Sequence, residues 1–145
     1  YSGDENTYYS DLRRLGQLLY NVRELDPNRS LLTITEDAYL TAVLNNQNAH
    51  TITLWDRPWM SRMYPEYWSA LQSFIRLHRP LIEIKTKRWG FDGYDWTDEK
   101  LPARIDLGFS DYELMIQSDY SDSGTVQILA PPEFLITYQE IFGLD

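Results

Sequence analysis

Tyr8, Leu12, Leu15, Leu19 and Val22 recur at steps of four and three, with Arg13, Arg14, Gln17 and Arg23 off the stripe. That spacing makes one apolar helical face and predicts a helix over residues 7–25. Asp26-Pro27-Asn28 ends it, because proline cannot continue a helix and biases the residue before it towards extended backbone. Residues 31–35 read as a short strand. Thr35 then caps an expected helix over 36–46, whose first turn carries Glu36 and Asp37, as the helix dipole favours. Residues 51–55 alternate and are rich in β-formers, so a strand is expected there. Pro65 opens the next helix, to residue 78, with Trp68, Leu71, Ile75 and His78 on one face, and Pro80 stops it.

From residue 81 to 89 the pattern changes to period two. Ile82 and Ile84 point one way, Glu83, Lys85 and Lys87 the other, as on a strand with one wet face. Three further strands are expected at 103–110, 113–118 and 125–130, the last two joined by a hairpin turn at Ser121-Asp122-Ser123-Gly124. A final helix runs from 132 to 142, with Gly143 just past its end. Helices come early and strands gather late as a meander. The pattern predicts a single α+β domain over residues 1–145, with residues 1–6 a frayed polar end. Its sheet is expected to be mostly antiparallel, with about four helices packed mainly on one face.

Length agrees with one domain: 145 residues bury enough surface to fold without a staple. The chain has no cysteine, which excludes disulfides, thiolate metal sites and a cysteine nucleophile, and fits a reducing cytoplasm. No stretch of 18 apolar residues is present, and no signal peptide is visible. The chain begins at Tyr1 rather than Met, so a trimmed or longer precursor is expected.

Charge changes the picture most. Residues 91–122 hold nine acidic and two basic side chains, a net of −7 out of −9 for the whole chain. Direct binding to nucleic acid or to an anionic membrane is disfavoured, because both repel such a surface. A basic protein partner is favoured. Within the acidic stretch, Trp89, Phe91, Tyr94 and Trp96 alternate with Asp92, Asp95, Asp98 and Glu99 around Gly90 and Gly93. A tryptophan between aspartates in a loop is either folded back on the core or displayed to a partner.

Catalytic and metal-binding patterns are thin. His50 and His78 are the only histidines and are far apart in sequence, so no zinc site is expected. Tyr94 and Trp96 stand where a calcium loop needs oxygen ligands. Gly108-Phe109-Ser110-Asp111 lacks the second glycine of a nucleophile elbow, and no glycine-rich phosphate loop is present. The strand pattern Glu83-Ile84-Lys85, with Asp56 upstream, matches the carboxylate–lysine arrangement of metal-dependent nucleases, where carboxylates hold the metal and lysine activates water. The plainer reading is a solvent-facing polar row.

Three functions follow. The first is a non-catalytic binding protein without cofactor. Its basic partner would be held by Asp92, Asp95, Asp98, Glu99, Asp106 and Asp111, with Tyr94 and Trp96 as buried anchors. An immunity protein, an antitoxin or a phage-type inhibitor of a nuclease or other nucleic-acid-binding enzyme has this character. The second is a metal-dependent hydrolase using Asp56, Glu83 and Lys85. The third is an assembly module of a larger complex.

Overall fold

The computed structural model describes residues 5–35, 49–53, 65–87, 96–121 and 124–143. In chain order these form α1 (Glu5–Leu25), β1 (Leu31–Thr35), β2 (Ala49–Thr53), α2 (Pro65–His78) and β3 (Leu81–Lys87), then α3 (Pro102–Leu107), β4 (Glu113–Ser121), β5 (Gly124–Ala130) and α4 (Pro132–Phe142). The expected helix over 36–46 lies outside the described residues.

The domain is α+β. Its five strands are ordered β2-β1-β3-β5-β4. β1 pairs in parallel with both β2 and β3, through five residue pairs each. β3–β5 and β5–β4 are antiparallel, with six pairs each, so the antiparallel half is the longer. β5 inserts between β3 and β4. The expected hairpin is present: Ser121 pairs with Gly124 across the turn.

Two apolar clusters lie on opposite faces of this sheet. On one, Leu32, Ile82, Ile84 and Leu129 pack against Trp68, Leu71 and Ile75 of α2 and Ala103 and Leu107 of α3. On the other, Leu81, Ile116, Val126 and Ile128 pack against Leu18 and Val22 of α1 and Phe134 and Leu135 of α4. The described helices therefore divide two and two between the faces instead of gathering on one. The reason is visible in β3 and β5, where Leu81-Ile82 and Ile128-Leu129 put consecutive apolar residues on opposite faces. A strand covered on both faces cannot keep a simple in–out alternation.

Glu83 follows from that correction. It is 2% exposed, not part of a solvent-facing row. In register it pairs with Thr33 of β1 and Ile128 of β5, which places it on the face covered by α1 and α4.

Residues 103–110 are also not a strand. Pro102 opens the short helix α3, and Gly108 closes it in the left-handed region at φ 83°, its N–H donating to the Ile105 oxygen at 3.2 Å. Ala103 and Leu107, one turn apart, both face the core. α2 begins at Pro65 and keeps Glu66 in its first turn and Arg76 and His78 in its last, matching the helix dipole.

Candidate functional site

The acidic stretch begins, in the described residues, with a turn at Trp96 and continues through α3 into the start of β4. A buried cation organises it. Arg104 is 1% exposed. Its guanidinium donates to the main-chain oxygens of Trp96 (3.2 Å), Phe109 (3.1 Å), Ser110 (3.2 Å) and Tyr112 (2.5 Å). One planar fork thus gathers the chain before α3 and the chain after it. Burying a guanidinium is tolerable only where its donors are satisfied, and here carbonyl oxygens do that. The same group lies 5.6 Å from the centroid of the Phe109 ring.

Trp96 is part of that packing. It is 1% exposed and stacks on Phe109, which in turn meets the edge of Tyr112. Trp96 is therefore a core residue and not a displayed anchor. The alternation of aromatic and acidic residues suggested a surface ring; the Arg104 clamp and the Phe109 ring turn the indole inwards instead. Tyr112 is buried too, and its hydroxyl has no hydrogen-bond partner among the described residues. Burial pushes the pKa of that phenol well above the ordinary value of a tyrosine, making it a weaker acid.

Four of the nominated carboxylates can be placed. Asp98 and Glu99 are exposed. Asp98 shapes its own turn, accepting the Lys100 N–H on Oδ1 at 2.9 Å and the Leu101 N–H on its main-chain oxygen at 3.0 Å. Asp106 is exposed on α3 and ties it to α2: its Oδ2 accepts from the Trp68 indole N–H, and the Gln72 amide donates to its main-chain oxygen at 2.8 Å. Asp111 is already engaged by Arg79, whose Nη2 lies 2.8 Å from Oδ2. The guanidinium beside it holds the Asp111 carboxyl below its ordinary range. Asp92, Tyr94 and Asp95 lie outside the described residues.

Sequence reading missed both arginines. Arg79 follows α2 with φ 46°, a left-handed conformation rare for a side chain larger than glycine. Its guanidinium bridges Asp111 and Glu133 and lies 5.1 Å from the Tyr112 ring centroid. Glu133, like Asp111, is held below the usual carboxylate range by this pairing. The available signals were an arginine between a helix and Pro80, and the one arginine within an acidic run.

Of the alternative hydrolase residues, Glu83 is interior, Lys85 occupies β3, and Asp56 lies outside the described residues. Among the described residues, no group of three or more histidine, cysteine and acidic side chains is close enough to hold a metal ion. No described helix is long and apolar enough to cross a membrane. Compared with known proteins, the chain matches no family model, no curated protein and no solved structure.

Proposed function

We propose that this chain is a non-catalytic acidic binding protein whose partner is a basic protein. An immunity protein, an antitoxin or a phage-type inhibitor of a nucleic-acid-binding enzyme is the class that fits. The observation that carries the reading is the mounting of the acid. Asp98, Glu99 and Asp106 are exposed on a turn and a short helix fixed from beneath by Arg104. Carboxylates held on a rigid platform bind a cationic surface with less ordering cost than carboxylates on a free loop. Ile105, 58% exposed and next to Asp106, supplies the apolar contact that Trp96 does not. Asp111 counts less towards this surface, because Arg79 already balances it. A cytoplasmic site of action goes with the reading, since a chain without cysteine suits a reducing compartment.

The test is capture from native lysate on the immobilised protein, with the D98N/E99Q/D106N variant alongside. A basic protein retained by the first and lost by the second, with an association rate that falls steeply as salt rises, supports the proposal. The same proteins retained equally by both overturn it.

A further inference from the structure

A groove of about 270 Å³ opens between α1, β4 and α4, on the sheet face opposite the acidic platform. Its volume is at the lower end of those that take small molecules. Leu18, Ile116 and Leu135 give it an apolar floor, and Met115 and Phe142 flank them. The polar groups above this floor are Arg14, Gln17, Asn21, Tyr138 and Gln139, and the one charge among them is positive. Arg14 lines the groove, and among the described lining residues there is no carboxylate. In a chain of net charge −9, that is a local reversal of sign.

The hydrogen bonds at the groove have a direction. The Gln17 amide donates to Asn21 Oδ1 at 2.9 Å, and the Asn21 amide donates to the Tyr138 hydroxyl oxygen at 3.2 Å. The Tyr138 hydroxyl, having accepted, is left with its own proton to donate. Arg14 uses Nη2 on the Gln117 main-chain oxygen at 2.6 Å, which fixes the guanidinium over β4 with other N–H groups still to donate. A cation and a hydroxyl donor therefore serve one small cavity with an apolar floor.

We propose that this groove binds a small carboxylic acid with a short apolar body. The carboxylate would take the Arg14 guanidinium and the Tyr138 hydroxyl, and the body would lie on Leu18, Ile116 and Leu135. Charge complementarity selects an anion, and the limited volume selects a free small molecule over a docked segment of protein.

Sodium octanoate is the probe, with 1-octanol as its neutral counterpart and N-acetyl-leucyl-leucine as a peptide carrying the same carboxylate. Methyl and amide NMR shifts of the full chain report binding at Met115, Leu135 and Gln139. Octanoate is expected to shift these signals saturably and to bind about tenfold more tightly than octanol, the usual margin for a charge-assisted contact. Arg14→Gln is expected to remove that margin, and Tyr138→Phe to reduce it several-fold. The D98N/E99Q/D106N variant is expected to bind octanoate unchanged, so this site stands or falls apart from the acidic surface. Equal binding of octanoate and octanol, an unaffected Arg14→Gln variant, or no saturable shift overturns the proposal. Tighter binding of the peptide also overturns it, by giving the groove to a protein carboxyl terminus.

Discussion

The Trp96 indole lies parallel to the Phe109 ring, with 6.2 Å between centroids and 3° between planes. Thirteen positions apart in sequence, the two rings close the segment that carries Asp98, Glu99 and Asp106 into one packed unit. Trp96→Ala should therefore act on stability before it acts on any partner. Removing a buried tryptophan leaves a cavity, and a loss of about 3–5 kcal/mol is expected. Urea denaturation reads it directly. A variant as stable as the parent would mean that the stack does not hold the segment.

Arg104 should be replaceable neither by an apolar residue nor fully by lysine. Arg104→Met removes the guanidinium donors from buried carbonyl oxygens on both sides of α3, and each hydrogen bond lost from a buried group costs about 1–3 kcal/mol. Arg104→Lys keeps the charge, but a single ammonium cannot span the main-chain oxygens of Trp96, Phe109 and Tyr112 in the plane of a fork. Both variants are expected to lower the urea midpoint, lysine by the smaller amount. A lysine variant matching the parent would show that charge alone is what the site needs.

Helices with clear punctuation were legible in the sequence. Pro65–His78 and Pro132–Phe142 each begin at a proline, carry a 3.6-period stripe and end at a stop residue, and both occupy the expected residues. Residues 103–110 misled because Ile105, Leu107 and Phe109 alternate like a strand. A helix of six residues is too short to reveal its period, and Ile105 faces solvent. Glu83 misled for a global reason: its neighbours Ile82 and Ile84 set its face, but only the placement of α1 and α4 makes that face interior. Trp96 and Arg104 depend on contacts eight to thirteen residues away, which a local charge pattern does not encode.

Arg79 combines a rare backbone geometry with two ion pairs, and two variants separate them. Arg79→Ala loses the pairs to Asp111 and Glu133 and keeps a Cβ at φ 46°. Arg79→Gly loses the same pairs and relieves the left-handed strain, worth about 1–2 kcal/mol, against a smaller entropy gain of its unfolded chain. The glycine variant should be the more stable of the two, by about 0.5–1 kcal/mol in thermal or urea unfolding. An alanine variant equal to or above glycine would mean that the turn bears no strain.

The same arginine makes stability depend on acid. Its hydrogen bonds lower the folded-state values of Asp111 and Glu133, so the folded chain gives up these protons more readily than the unfolded chain. The stabilisation is fully present above the unfolded carboxylate values, about 3.9 and 4.3. It is lost as pH falls through the lower folded values. Both side chains are more than half exposed, at 53% and 60%, so water and salt screen the pairs. After that discount the effect should be about 1 kcal/mol or less. The D111N/E133Q variant should thus be less stable than the parent at neutral pH and equal to it in strong acid. Adding 1 M salt, an ionic strength of roughly 3 Å screening length, should narrow the neutral-pH gap. Urea midpoints measured across pH at low and high salt test both arms. A gap that stays constant down to strong acid would assign the loss to packing around Tyr112, where the Arg79 guanidinium also rests, and not to the ion pairs.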